Sequence, residues 1–386
     1  MKTEFLPGHA ITLLETGDAY FPALETAIDQ AQHEIHLECY IFEDDATGRR
    51  IADTLMRASA RGVNVRILID GFGSKDLPAE FRDHLASAGI QILIYRRQIS
   101  PWTLRRQRLR RLHRKIAVID ARIAFVGGIN IIDDRNTPRQ KPPRFDYAVR
   151  IEGPMLEPIC HAVRTLWLRM AWASLRRVAP RADLIPPVIT AAGMLSAAFV
   201  QRDNLAHRRD IELAYLSAIA NAKHEIIIAN AYFFPGRRFR RGILDAARRG
   251  VRVVLLLQGR IEYVLLHYAT RALYGSFLDA GIEIFEYHRG FLHSKVAVID
   301  GHWSTVGSSN IDPFSLLLAR EANVMVDDSG FAAELRKGLM RAIQTGAESK
   351  AKNRWDREPW SQRLIIWICY GVSRIVIGFM GYDRWD

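Results

Sequence analysis

Cysteine is scarce in this chain. Cys39, Cys160 and Cys369, three among 386 residues, stand far apart. That excludes a disulfide framework and a C-x-x-C metal or redox pair, and suits a reducing, cytosol-facing location. Nothing matches H-E-x-x-H or a Walker loop, and no carboxylate cluster of the kind that holds Mg²⁺ on phosphates is present. The opening stretch, MKTEFLPGHAITLLETGDAYFPALE, has no basic segment followed by a long apolar one, so no secretory signal is expected. Long apolar runs are also missing, with one partial exception. Leu364 to Met380 is apolar apart from Ser373 and Arg374 but counts only 17 residues, against about 20 for a perpendicular span. Arg374 near its middle would cost about 2.5–3.5 kcal/mol at a bilayer centre. A helix lying in the interface fits better, with Trp367 and Tyr370 at head-group level and Arg354, Arg357 and Arg363 attracted to anionic lipid.

Acidic residues are outnumbered. Lys and Arg exceed Asp and Glu by 54 − 42 = 12, a surplus that favours polyanions, either nucleic acid or anionic lipid head groups. The length suits two domains, each able to bury its own core.

What the chain does have is a duplication. LHRKIAVID (Leu112 to Asp120) returns as LHSKVAVID (Leu292 to Asp300), with seven of nine positions identical. The echo extends outward. AIDQAQHEIHLECYIF parallels AIANAKHEIIIANAYFF, ARGVNVRILID parallels RRGVRVVLLLQ, and LASAGIQILIY parallels LDAGIEIFEY. Helical patterns alternating with β-branched runs predict βαβ units. The fold class expected is therefore α/β, a duplicated pair of domains, each a mixed sheet flanked by helices. The halves are expected at 1–185 and 191–350, followed by a basic and apolar membrane-associating segment at 351–386. The first half carries an extra arginine-rich insert near 96–111 that includes Trp102, read as a basic lip near the site.

On a strand, residues two apart face the same side, so His113 points with Lys115 and His293 with Lys295. Asn130 and Asn310 follow at one common distance, behind Gly-Gly-Ile and Gly-Ser-Ser. Two imidazoles, two ammonium groups and two carboxamides meeting at a domain interface suit attack on a phosphodiester. One His can act as nucleophile, the other can protonate the leaving alcohol, and Lys and Asn can hold the non-bridging oxygens. No metal or other cofactor is needed. Tyr40 and Tyr232, at the ends of equivalent strands, are candidate pocket walls, and Arg202 or Arg208 in QRDNLAHRRD could reach a head-group phosphate.

HRKIAVIDARIAFVGGIN and HSKVAVIDGHWSTVGSSN resemble the twin H-x-K-x₄-D-x₆-G-S-x-N motifs of the phospholipase D superfamily. The G-G-x-N form of the first motif, with ECYIFEDDATGRRI, IDGFGS and RDNLAHRRDIELAYLSAI, is similar to the shorter bacterial cardiolipin synthases. That resemblance implies a pseudo-twofold fold with one shared site, a phosphohistidine intermediate and no catalytic metal. It implies transfer of a phosphatidyl group between phosphatidylglycerol molecules with loss of glycerol, on the cytoplasmic face of the cell membrane. His113, Lys115, Asp120, His293, Lys295 and Asp300 form the implied catalytic set, although the two Asp residues are usually structural in the family. Asn130, Asn310 and Ser308 would position phosphate, and Asp146 and Glu321 would orient the histidines, with His113 as nucleophile. Gly128 stands where a Ser is often found. A phospholipase D-type hydrolase and a nuclease remain as alternatives. The hydrophobic C-terminal stretch favours lipid, so nucleic acid is not an expected partner.

Overall fold

The structure is a computed structural model that describes residues 3–96, 110–137, 140–174, 184–203, 206–312, 319–352 and 360–379. The insert's residues 97–109, including Trp102, and part of the expected inter-domain linker lie outside the described residues.

In the first half, β1 (Leu6–Glu15) leads into α1 (Thr16–Asp29). There follow β2 (Glu34–Cys39), α2 (Ala46–Ala60), β3 (Asn64–Asp70), α3 (Ala79–Ser87) and β4 (Gln91–Tyr95). Then come the short β5 (Arg111–Leu112), the hairpin β6 (Lys115–Ile119) and β7 (Ile123–Gly127), the short β8 (Arg144–Phe145), β9 (Tyr147–Glu152) and α4 (Leu156–Ala173). The second half repeats the order. It runs β10 (Leu195–Arg202), α5 (Asp210–Asn221), β11 (Glu225–Asn230), α6 (Arg237–Arg248) and β12 (Arg252–Gln258). Two short helices, α7 (Val264–Arg271) and α8 (Tyr274–Asp279), precede β13 (Glu283–Tyr287) and β14 (Phe291–Leu292). The hairpin β15 (Lys295–Ile299) and β16 (Trp303–Gly307), then β17 (Ala319–Asp327) and α9 (Ser329–Gly346), complete the copy, with β18 (Ala347–Ser349) and α10 (Trp360–Phe379) after it.

These strands form because their sequences are β-branched and apolar on both faces. Every residue of KIAVI and KVAVI is buried, as expected of strands covered by helices on either side. Within each half the sheet order is the same, β4-β3-β2-β6-β7-β9-β1 and β13-β12-β11-β15-β16-β17-β10. The first three strands of each set run parallel and the rest antiparallel. Antiparallel pairing of β1 with β10 then fuses the two sheets into one. Neither strand belongs to the repeated segments visible in the sequence.

One apolar core belongs to both halves. Val118, Val126 and Val149 of the first sheet and Val296, Val298 and Val324 of the second share it with α4 and α9. Each half also has a private core on the opposite face, under its own α1–α2 or α5–α6 pair. Burying one common layer holds the two motifs in a fixed mutual position, a consequence of the roughly 25 cal/mol per Å² that apolar burial contributes.

Candidate active site

The hairpins that carry the motifs turn at Asp120–Ala121 and Asp300–Gly301. All four residues have positive φ, 50° and 47° in the first turn, 52° and 68° in the second. Such turns match the strand twist of a tight hairpin. Ala121 adopts this conformation without glycine's freedom, at a cost of about 1–2 kcal/mol, so the weaker turn signal of the first copy still yields the same turn.

Asp120 and Asp300 are not at the chemistry. Asp120 accepts the backbone N–H groups of Gln32, His33 and Glu34 at 2.8, 2.8 and 2.9 Å. Asp300 does the same for Lys223, His224 and Glu225 at 2.8, 2.8 and 3.0 Å. Each lies at the far end of its strand from the His and ties the hairpin turn to the start of β2 or β11. The inclusion of the two Asp residues in a catalytic set is corrected accordingly: a carboxylate saturated by three main-chain donors is a structural clamp.

The opposite strand ends meet. His113 lies between β5 and β6, and its backbone N–H donates to the Arg320 carbonyl at 3.0 Å. His293 lies between β14 and β15 and donates to the Phe145 carbonyl at 2.9 Å. Each imidazole therefore docks on the other half, and each finds its carboxylate there. His113 Nδ1 is 2.9 Å from Glu321 Oε1, and His293 Nδ1 is 2.6 Å from Asp146 Oδ2. An imidazole whose Nδ1–H donates to a carboxylate presents the bare lone pair of Nε2 to the site.

The lysines complete each set. Lys295 Nζ lies 3.3 Å from Asp146 Oδ2 and 2.7 Å from His293 Nδ1. Lys115 Nζ donates to the His113 carbonyl and lies 5.4 Å from the centroid of the Tyr40 ring. That ring also packs edge-on to His113 at 4.8 Å. Tyr232, by contrast, donates to Glu262 and packs on Tyr263. The two copies run without a gap from Glu34 and Glu225, held alike by Asp120 and Asp300, to the paired bridges Phe42 to Ile131 and Phe233 to Ile311, which sets Tyr40 against Ala231 and Tyr232 against Ile41. The two tyrosines are thus not equivalent.

Burial dominates the electrostatics. It pushes His113 below its usual range, with Glu321 opposing. His293 is held well below its usual range by burial and by Lys295. Burial brings Lys115 down to about 7 against the pull of Glu321, and Lys295 is lowered for the same reason against the pull of Asp146. Burial alone would raise the Asp146 carboxyl, but Lys295 and the hydrogen bond from His293 hold it below its usual range. Glu321 thus acts on both lysines, and Lys295 on both histidines, so the two motifs share one electrostatic environment.

Ser308 and Gly128 occupy matching places, each donating its backbone N–H across to β17 or the start of β9. The Ser308 hydroxyl donates to Glu321 Oε2 at 2.5 Å. A Cβ on Gly128 would sit 2.3 and 2.4 Å from the Asp146 carboxylate oxygens. The shorter acid needs the space that the serine fills in the other half. Asn130 and Asn310 are both buried, and Asn130 Oδ1 accepts the Ile41 N–H at 3.1 Å. Sequence reasoning gave no role to Asp70 and Gln258, which end β3 and β12. Asp70 Oδ2 accepts the Leu112 N–H at 2.8 Å and Gln258 Oε1 the Leu292 N–H at 3.0 Å, each fixing the residue before a His. Their signal was their matching place in the repeat. Among the described residues no group of three or more His, Cys, Asp or Glu side chains could hold a metal ion.

Known proteins resemble this chain over most of its length. The family described as "Cardiolipin synthase, PLD-like domain" matches twice, at residues 24–151 and 215–342. Cardiolipin synthase B of Escherichia coli strain K12 is 40% identical over 370 residues, covering 93% of this chain and 86% of that protein. Cardiolipin synthase A of Pseudomonas putida is 30% identical over 353 residues, covering 91% and 72%. Among solved structures, a phosphatidylserine synthase of Haemophilus influenzae superposes with a TM-score of 0.75 at 14% identity, covering 98% of this chain and 96% of that one. The last likeness shows the fold alone. Two complete motif copies, one composite site and these matches together place the chain in the cardiolipin synthase family of phospholipase D-like proteins.

Proposed function

We propose that this protein is a phosphatidyltransferase that makes cardiolipin from two phosphatidylglycerol molecules through a phosphohistidine intermediate. The observation that carries the reading is the reciprocal pair, two imidazoles, His293 buried and His113 partly so, each held by a carboxylate from the other half. Acid–base chemistry on a phosphodiester needs two such groups, whereas binding alone needs neither. Nε2 of His113 attacks the phosphorus and displaces glycerol, which takes the Nε2 proton of His293 in its imidazolium form, the charge of that form being balanced by Asp146. A second phosphatidylglycerol hydroxyl then attacks the phosphohistidine, forming a new P–O bond as the P–N bond breaks. Its proton passes to His293. Lys115, Lys295, Asn130 and Asn310 hold the non-bridging oxygens, and Glu321 with Ser308 and Asp146 orient the imidazoles. Incubating purified protein with phosphatidylglycerol in mixed micelles tests this. Cardiolipin with released glycerol supports transfer, and phosphatidic acid alone would make the protein a hydrolase.

The reading includes a membrane surface. Among the described residues no helix is long and apolar enough to cross a membrane. α10 packs against the second half through Ile366, Ser373 and Tyr370, whose ring meets Phe234 at 5.9 Å. Its other side exposes Leu364, Ile365, Trp367, Ile368, Val372 and Ile375. The neighbouring start of α7 exposes Tyr263, Val264 and Leu265. Large apolar side chains left in water on adjacent helices suit insertion among lipid head groups. Trp367→Glu with Ile368→Glu is expected to weaken cosedimentation with phosphatidylglycerol vesicles about tenfold or more, since full burial of one such side chain contributes about 1.5–3 kcal/mol. Unchanged vesicle binding would remove α10 from the membrane contact.

A further inference from the structure

The two sides of the site are not alike. Three strand ends beside His113 carry arginine. Arg320 precedes Glu321 on β17 and pairs with Leu112 of β5, Arg111 lies opposite Ala319, and Arg202 ends β10 opposite Glu321. The same registers in the other half set Phe145 opposite Leu292 and Phe291 opposite Arg144. The pseudo-twofold therefore relates Arg320 to Phe145 and Arg111 to Phe291. Arg202 matches Thr16, whose N–H donates to the carbonyl of Asp146, the counterpart of Glu321. One fold thus builds this corner twice, once from two phenylalanines, a threonine and the single arginine Arg144 in the place of Ala319, and once from three arginines. The architecture itself does not require three charges.

Their protein partners are too few. Arg202 is 2% exposed and donates to the Ala319 carbonyl, yet its Nε is buried without a hydrogen-bond acceptor among the described residues. Arg320 Nε and Arg111 Nη1 are buried in the same condition. The nearest carboxylate to Arg111 Nη1 is Asp70 at 3.9 Å, beyond hydrogen-bond reach. Burial draws Arg202 down to about 10 in spite of Glu321, and Arg110 nearby is lowered by burial and by Arg96, Arg208 and Arg320. Buried N–H donors left over on several guanidinium groups make a place for an anion with several acceptor oxygens.

Resting on the transferase reading, we propose that Arg111, Arg202 and Arg320 form a second phosphate subsite, distinct from the two His-Lys sets, that holds the phosphate of the acceptor phospholipid. Phosphatidylglycerol as acceptor brings a phosphodiester of its own close to the attacking hydroxyl. Water and free glycerol bring none. The subsite therefore favours lipid over water at the step in which the acceptor oxygen bonds to phosphorus and the P–N bond breaks.

The test compares acceptors on the full-length enzyme. Wild type, Arg320→Gln, Arg111→Gln and Arg320→Lys are each given phosphatidylglycerol micelles with labelled glycerol. Cardiolipin reports the phosphate-bearing acceptor, and label entering phosphatidylglycerol reports the phosphate-free one. The Gln variants are expected to lose cardiolipin formation at least about tenfold more than glycerol exchange, about 1.4 kcal/mol, with phosphatidic acid rising and Arg320→Lys keeping most of the wild-type ratio. Cardiolipin and exchange falling in parallel, or neither changing, would overturn the subsite. A wild type that yields no exchange and no cardiolipin would overturn the transferase reading itself. Inorganic phosphate added to wild type separates the ligand sources. Inhibition of cardiolipin formation but not of exchange means that the subsite also takes free phosphate, and no inhibition alongside the shifted variant ratio means that it takes the lipid phosphate only.

Discussion

Alanine at either His113 or His293 is expected to lower turnover of phosphatidylglycerol by at least about a thousandfold, given the roughly 10²–10⁴ that one positioned acid or base contributes. The losses should differ in kind. Under the proposed mechanism His113→Ala removes the nucleophile, so no phosphatidyl-enzyme can form from any substrate. His293→Ala removes only the proton donor. A lipid with p-nitrophenol as leaving group needs no such donor, so it should restore the first step in His293→Ala and leave His113→Ala inactive. Rescue of His113→Ala instead would exchange the two roles. Near-normal turnover of phosphatidylglycerol by either variant would end the two-imidazole mechanism. The environment supports a neutral nucleophile in the resting site. Burial keeps His113 below its usual range, so its lone pair is available near neutral pH.

Much of this was legible in the chain because duplication turns weak signals into strong ones. One H-x-K is uninformative, but two with matching Asp, Gly and Asn offsets give the strands, the hairpins and the candidate catalytic groups. What the offsets could not say is which half supplies each carboxylate. Asp146 and Glu321 both follow their own motif in sequence, yet each serves the His of the other copy. That exchange arises from tertiary docking of β5 on β17 and β14 on β8, short pairs of two residues each. β1 and β10 were missed for a related reason. LPGHAITLLE and LSAAFVQR mix exposed or half-exposed with buried positions, so neither shows a clean strand pattern, and their mutual pairing is long-range. Tyr40 and Tyr232 show the opposite error. A sequence match set them side by side, while the ungapped register from Glu34 and Glu225 to Phe42 and Phe233 places Tyr232 opposite Ile41, one residue past the place of Tyr40. The arginines beside His113 are individually ordinary in a chain this basic, and stand out only when set against Phe145, Phe291 and Thr16.

Gly128→Ser should be nearly as damaging as loss of a catalytic group, although it installs the residue found at the matching place in the second motif. The new Cβ would meet both Asp146 oxygens well inside contact distance, so the carboxylate must move. That carboxylate holds His293 at 2.6 Å and Lys295 at 3.3 Å, and a displacement of about 1 Å at a catalytic group can cost about a hundredfold. A loss of that order in kcat, with the overall stability little changed, is the expected result. Ser308→Ala should be milder, about tenfold or less, because it removes one hydrogen bond to Glu321 and forces nothing to move. The two halves then predict their own repair. Glu321 and Ser308 coexist because the longer acid reaches His113 while accepting from the hydroxyl. Gly128→Ser combined with Asp146→Glu should therefore recover about tenfold over Gly128→Ser alone, a coupling of about 1.4 kcal/mol, within the range for residues in contact. Full activity in Gly128→Ser would show that the carboxylate has room to spare. A double variant no better than the single would show that the two sites, though built on one plan, hold their carboxylates by different means.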